Sequence, residues 1–156
     1  MYLFVYGTLL KGMPTPMANF LGENASYIGE AYVPGLLVDL GRYPGAIYQP
    51  DAETLIYGHV FYLNKPDATL KILDRYEDAG IGQGSRTEYR REQVPVMMGD
   101  EAILCWIYLY NLDPIGLPVI PEGNYLEFLA KGIHPRHYEF MGKGRAGENP
   151  DEETED

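Results

Sequence analysis

One carboxylate lies where a charge is unfavourable. Residues 66–77 read PDATLKILDRYE, and their pattern predicts a helix. At about 100° per residue, this helix has a polar arc and an apolar arc. The polar arc holds Asp67, Lys71, Asp74 and Arg75, and the apolar arc holds Thr69, Leu70, Ile72, Leu73 and Tyr76. Glu77 falls between Leu70 and Leu73. Loss of water and the negative end of the helix dipole would both raise its pKa, so Glu77 could exchange a proton near neutral pH.

The same pattern allows a second interpretation. If the last helical turn frays, Glu77 points into water and has no chemical role. Periodicity alone does not choose between the two.

Side chains for nucleophilic chemistry are few. The chain has two serines, Ser26 and Ser85, and neither lies in a G-x-S-x-G motif, which argues against a serine hydrolase. Cys105 is the only cysteine and lies in the apolar run ILCWIYLY, so we predict a buried and inert thiol.

Neither a metal site nor a nucleotide loop is predicted. His134 and His137 flank Pro135, which breaks the helix that a ligand pair at this spacing needs, and His59 lies alone within a predicted strand. The glycines of AGIGQGS at 79–85 follow a helix and precede a strand, which reverses the order of a dinucleotide-binding loop. We interpret this segment as a flexible connection and a candidate lid beside Glu77.

Short strands joined by tight turns must position Glu77. Strands are predicted at 2–6, 27–33, 36–40, 45–48, 55–63, 89–97 and 102–110, with turns at Pro34-Gly35 and Gly99-Asp100 and a bulge or close approach at Gly58. Helices are predicted at 14–21, capped by Thr15, at 66–77, and at 124–131, capped by Asn124 and ended by Gly132. The fold class is therefore α+β and mostly β, a small β-barrel with two or three flanking helices.

The charge excludes several kinds of partner. The 156 residues carry a net charge of -11, which argues against binding to nucleic acid or to an anionic membrane. Six of the acids lie in 148–156, so we expect one domain over 1–142 and an acidic, flexible tail over 143–156. The first residues lack the features of a targeting segment, no apolar run spans a membrane, and one cysteine permits no intrachain disulfide. We expect a cytoplasmic protein.

A set of motifs in a fixed order resembles the gamma-glutamylcyclotransferase-like superfamily, which includes the gamma-glutamylamine cyclotransferases. The motifs are FVYGTL at 4–9, PGLLVDLGRYPGAI at 34–47, IYGHVFYL at 56–63, LDRYE at 73–77, YRREQVPV at 89–96 and CWIYLY at 105–110. The resemblance covers about residues 2–130 and implies a small mixed barrel. Asp78 replaces a glycine that is frequent in the family, and the stretch from Glu77 to Tyr89 is longer than in compact members.

The resemblance also implies a site. It makes Glu77 the general acid and base and places Tyr6, Gly7, Thr8 and Leu9 on the substrate pocket, and we expect Tyr43 and Tyr89 to line this pocket as well. In such a reaction the α-amine of a γ-glutamyl amine or peptide attacks its own γ-carbonyl, and 5-oxoproline and a free amine are released. No enzymic nucleophile, metal or cofactor is needed, because one carboxylate can move both protons.

Two alternatives stay open at this point. The chain could be a barrel of the same fold that binds a small ligand without turnover. It could also remove a γ-glutamyl protecting group from a biosynthetic intermediate. The sequence does not identify the amine or the oligomeric state.

Overall fold

The computed structural model describes residues 1–77 and 87–131. Its strands are β1 (Tyr2–Val5), β2 (Ala25–Asp39), β3 (Pro44–Tyr48), β4 (Leu55–Leu63), β5 (Tyr89–Met98) and β6 (Glu101–Tyr110). Its helices are α1 (Pro16–Asn24), α2 (Pro66–Tyr76) and α3 (Tyr125–Ala130). No helix among these described residues is long and apolar enough to cross a membrane.

Five of the strands close into a barrel. β2, β4, β1, β6 and β5 pair in that order, and the pair Tyr32↔Met97 joins β5 back to β2. β1 runs antiparallel to β4 but parallel to β6, so the barrel is mixed. β3 pairs with β2 outside the closed ring. The predicted fold class, a small mixed β-barrel with flanking helices, is confirmed.

Apolar side chains from all five barrel strands form the core. Phe4, Val33, Ile56, Val96 and Ile107 each have no exposed surface. Leu21 of α1 and Leu73 of α2 are equally buried, so these helices pack on the barrel rather than extend from it. The predicted caps are present, because Thr15 Oγ1 accepts from Ala18 N at 3.2 Å and Asn124 Oδ1 accepts from Glu127 N at 3.1 Å.

The prediction of a turn at Pro34-Gly35 is wrong. β2 continues through this pair, but its partner changes there, from β4 up to Pro34↔Leu55 to β3 from Gly35↔Tyr48. A side chain at Gly35 would collide with the carbonyl oxygen of Ile47, so glycine is needed for a close approach of two strands and not for a turn. The two predicted strands are one.

Gly58 also permits a close approach, as predicted. A Cβ atom there would collide with the carbonyl oxygen of Val5 on the neighbouring strand. The register shift in this part of the sheet lies instead in β2, between Tyr27 and Gly29.

The faces of α2 differ in part from the predicted arcs. Thr69, Leu70 and Leu73 are buried, but Ile72 and Tyr76 are each 38% exposed. Asp74, placed on the polar arc, is half-buried and bonded to the barrel. The helix therefore packs through a narrower stripe than the pattern predicted, formed by Thr69, Leu70 and Leu73.

Several predictions lie outside the described residues. They are the connection at 79–85, the end of α3 at Gly132, the domain limit at residue 142 and the acidic tail.

Candidate active site

A cavity of about 200 Å³ opens at one end of the barrel. Its wall comes from the end of β1 and the turn after it, the segment entering β3, the end of α2, the start of β5, and β6. The lining residues are Phe4, Val5, Tyr6, Gly7, Thr8, Leu9, Tyr43, Pro44, Tyr76, Glu77, Glu88, Tyr89 and Tyr108. All seven residues predicted for the site, which the chain separates by more than eighty positions, therefore lie on one cavity.

The turn of residues 6–9 presents backbone groups to this cavity. Leu10 N donates to Gly7 O at 3.0 Å, and Thr15 Oγ1 donates to Thr8 O at 2.8 Å, so the outer side of the turn is fixed. Within the described part of the chain, no hydrogen bond engages the N–H groups of Gly7, Thr8 or Leu9. Such groups can bind a carboxylate or a developing oxyanion.

Gly7 is needed in this turn for space. A Cβ atom there would lie 2.7 Å from Pro44 Cγ, well inside van der Waals contact. Pro44 is itself held, because its carbonyl oxygen accepts from Tyr89 Oη at 2.7 Å. The glycine therefore allows the turn to pack directly on the segment that enters β3.

Glu77 ends α2 and is half-buried on the cavity wall. Its N–H donates to Leu73 O at 2.8 Å, so the last turn is formed and the frayed alternative does not apply. Burial, and next the negative charge of Glu88, raise the pKa of Glu77 from 4.5 to about 8. The carboxyl can therefore exchange a proton close to neutral pH.

The tyrosines of the cavity are already engaged. Tyr6 Oη donates to Tyr108 O at 2.5 Å, and Tyr43 Oη donates to Glu88 Oε1 at 2.9 Å. Burial raises the pKa of Tyr6, Tyr43 and Tyr89 further above the usual value, so these phenols stay neutral. They line the cavity wall as neutral, hydrogen-bonded hydroxyl groups.

Sequence reasoning missed two functional candidates, Glu88 and Tyr108. Glu88 directly precedes Tyr89, and that adjacency is the one signal that could have found it. Tyr108 lies between Ile107 and Leu109, and all three are buried, so the strand alternation that would single it out is absent.

The other reactive residues lie away from the cavity or outside the described residues. Cys105 is buried in the core, as predicted, and burial raises the pKa of its thiol to about 12. His59 Nδ1 accepts from Lys11 N at 3.0 Å. Ser85, His134 and His137 are not among the described residues. Within residues 1–77 and 87–131, no three His, Cys, Asp or Glu side chains are grouped to hold a metal ion.

Known proteins match both the sequence and the fold. The family model described as gamma-glutamyl cyclotransferase, AIG2-like, matches residues 3–127. A gamma-glutamylcyclotransferase family protein, YtfP, of Citrobacter rodentium is 33% identical over 129 residues, covering 81% of this chain and 96% of its own. YtfP of Escherichia coli K12 is 30% identical over 128 residues, covering 81% and 97%.

Solved structures agree with these matches. The solution structure of E. coli YtfP has a TM-score of 0.56 at 27% identity, covering 82% of this chain and 98% of that one. The crystal structure of a mouse AIG2-like protein has a TM-score of 0.61 at 23% identity, covering 80% and 86%. This second likeness concerns the fold.

Proposed function

The chain belongs to the gamma-glutamyl cyclotransferase, AIG2-like family, and from this premise we propose that it releases 5-oxoproline and a free amine or amino acid from a γ-glutamyl substrate. The observation that carries the proposal is the position of Glu77, a carboxyl with a pKa of about 8 on the same cavity as the 6–9 turn. The cavity of about 200 Å³ is smaller than pockets for drug-sized ligands, roughly 300–1,000 Å³, and suits a compact head group.

Substrate binding is assigned to the 6–9 turn. The N–H groups of Gly7, Thr8 and Leu9 would donate to the α-carboxylate and to the γ-carbonyl oxygen of the glutamyl head. Tyr6, Tyr43 and Tyr89 would form the apolar wall around it. A substrate folded so that its amine lies beside its own carbonyl gains the advantage of an intramolecular reaction.

Glu77 would then transfer one proton in two steps. The α-ammonium group, whose pKa is on the order of 8, first loses one proton to the solvent and becomes a neutral amine. As a carboxylate, Glu77 takes a second proton from this amine as its nitrogen bonds to the γ-carbon. The carbonyl oxygen becomes an oxyanion held by the turn. When the oxyanion collapses, the bond from the γ-carbon to the leaving nitrogen breaks, and Glu77 returns its proton to that nitrogen. The products are a five-membered lactam and an amine, and no cofactor is consumed.

A product assay tests the proposal. The full chain is incubated with a panel of γ-glutamyl peptides and γ-glutamyl amines, and 5-oxoproline is measured by mass spectrometry. Glu77→Gln keeps the shape of the side chain and removes its proton chemistry. Glu92→Gln is the matched control, because Glu92 pairs with Arg90 on the exposed face of β5. Equal turnover by Glu77→Gln and the unaltered protein would refute the proposed mechanism.

The panel also separates the alternatives. Thermal stabilisation by a γ-glutamyl ligand without 5-oxoproline would identify a binding barrel. Turnover restricted to a larger γ-glutamyl conjugate would identify removal of a protecting group, by the same chemistry.

A further inference from the structure

The two halves of the cavity meet at one residue of β6. The backbone oxygen of Tyr108 accepts a hydrogen bond from Tyr6 Oη at 2.5 Å. Tyr6 is the first residue of the 6–9 turn. The Tyr108 hydroxyl donates to Asp74 Oδ1 at 2.7 Å. Asp74 lies three residues before Glu77, about one helical turn away in α2. A chain of contacts therefore runs from the proposed binding turn to the proposed acid.

Arg91 completes the surroundings of Asp74. Its Nε and Nη2 donate to Asp74 Oδ1 and Oδ2 at 2.7 and 3.0 Å, which is a bidentate arrangement. The guanidinium carbon lies 4.1 Å from the ring centroid of Trp106. The side chains of Arg91 and Asp74 are 10% and 19% exposed, so the pair is largely removed from water. Three donors from two strands thus fix one carboxylate of α2.

The side chain of Asp74 bonds the last turn of α2 to the barrel. Leu73, one residue earlier, is fully buried, and Arg75 and Tyr76, which follow, are exposed. Asp74 accepts from Arg91 of β5 and from Tyr108 of β6. A turn without such a contact would be free to open, because the ends of helices lack half of their internal hydrogen bonds.

We propose that Asp74, held by Arg91 and Tyr108, is a positioning residue that keeps the Glu77 carboxyl in place on the cavity wall. The inference rests on the proposed function for its meaning in catalysis. Asp74 does not line the cavity, so it acts through Glu77 and not on the substrate. The Arg90–Glu92 pair on the same strand is the contrasting case, since its side chains are 46% and 47% exposed.

Kinetics give the first test, with Asp74→Asn and Tyr108→Phe against the control Glu92→Gln. Tyr108→Phe removes one hydroxyl and leaves the ring on the cavity wall. A displacement of about 1 Å costs on the order of a hundredfold in rate, so we expect kcat to fall about tenfold or more in both variants. KM should stay within about threefold, because the 6–9 turn is unchanged, and Glu92→Gln should match the unaltered protein.

Carbon-13 NMR gives a second test that needs no turnover. The side-chain carboxyl of Glu77 is assigned by the loss of its signal in Glu77→Gln and is then titrated in each variant. We expect its pKa to be lower in Asp74→Asn and Tyr108→Phe, since a loosened turn admits water. The titratable groups of the described residues that act on Glu77 or respond to it are Glu88, Tyr6, Tyr43, Tyr89 and Tyr108. None of them is altered in Asp74→Asn.

Each outcome decides. Unchanged kcat and an unchanged Glu77 titration in both variants, even with a lower melting temperature, would make the pair purely structural and overturn the inference. If the unaltered protein forms no 5-oxoproline, the proposed function fails, while a shifted titration would still support the positioning role. If Asp74→Asn does not fold, Tyr108→Phe alone decides by the same two measurements.

Discussion

The 6–9 turn and the end of α2 line one cavity but supply it with different kinds of group. The turn offers backbone N–H groups, and it is fixed by bonds to the carbonyls of Gly7 and Thr8 and by packing on Pro44. The end of α2 offers the carboxyl of Glu77, beside the ring of Tyr76, and is bonded to the barrel through Asp74. Backbone groups survive most substitutions as long as the path of the chain is kept. A single carboxyl can be lost by one substitution.

This contrast predicts the largest effect at Glu77. Glu77→Gln should reduce the rate of 5-oxoproline formation by about 10²–10⁴-fold, the range for loss of a general acid and base. Initial rates at saturating substrate measure it. A rise in KM with kcat unchanged would mean that Glu77 binds substrate and does not transfer the proton, contrary to the proposed roles of the two regions.

The turn should be most sensitive where a side chain would alter its path. Gly7→Ala places a Cβ atom 2.7 Å from Pro44 Cγ, so the turn or Pro44 must move. We expect kcat/KM to fall about 10–100-fold and the free energy of unfolding to fall by about 1–3 kcal/mol. Kinetics and thermal melts measure both changes.

Gly22→Ala is the matched control for this substitution. Gly22 lies inside α1 with no atom within 4 Å of the added carbon. Alanine there should stabilise the protein by about 0.5–1 kcal/mol and leave activity unchanged. Normal activity of Gly7→Ala would show that the path of the turn is not critical.

Glu88 separates the electrostatics of the two regions. Its charge raises the pKa of Glu77, and its carboxylate accepts from Tyr43 Oη. Glu88→Gln should therefore lower the pKa of Glu77 and move the rising limb of the pH–rate profile to lower pH. The profile of kcat/KM between pH 5 and 10 checks this. Tyr43→Phe is the companion variant, because it removes the hydroxyl that donates to Glu88 Oε1 and keeps the charge of Glu88. The rising limb of its pH–rate profile should move less than that of Glu88→Gln.

The smallest effect concerns stability. Glu77 has a pKa of about 8 in the folded chain against 4.5 as its ordinary value, so the folded state binds more protons between these limits. Stability from Glu77 is therefore complete below about pH 4.5 and is lost as the pH rises through about 8.

Glu77→Gln should remove this dependence. Since Glu77 is half-buried, we expect the unaltered protein to lose about 1–2 kcal/mol relative to Glu77→Gln between pH 5 and 9. Urea unfolding at several pH values measures the difference. If the free energy of unfolding depends on pH in the same way in both proteins, Glu77 is well hydrated in the folded state.

Local signals predicted most elements of the fold and the hairpin of β5 and β6 closed by Gly99-Asp100, but not the pairing of strands distant in sequence. Apolar runs and caps located β3 to β6 and all three helices, because those signals are short-range. Pro34-Gly35 was misread because a proline-glycine pair ordinarily makes a turn, and the exchange of partners in β2 is decided by strands distant in sequence.

The site was predicted unevenly for a similar reason. Glu77 could be found because helical periodicity exposes a misplaced charge, and residues 6–9 were found by resemblance. Tyr108 and Arg91 donate to Asp74 across 34 and 17 positions of the chain. No local pattern records such a pair, so only the folded barrel reveals it.

The parallel pairing of β1 with β6 has a consequence for synthesis. Tyr2 pairs with Cys105 and Leu3 with Trp106. β1 therefore cannot complete its pairing until β6, which lies about 100 residues later in the chain, has been made. The 6–9 turn follows directly from β1. A chain released before residue 105 lacks this pairing, and contacts so far apart in sequence are slow to form. Because Tyr108 of β6 lines the cavity, the cavity is complete only once β6 has been made and has paired with β1.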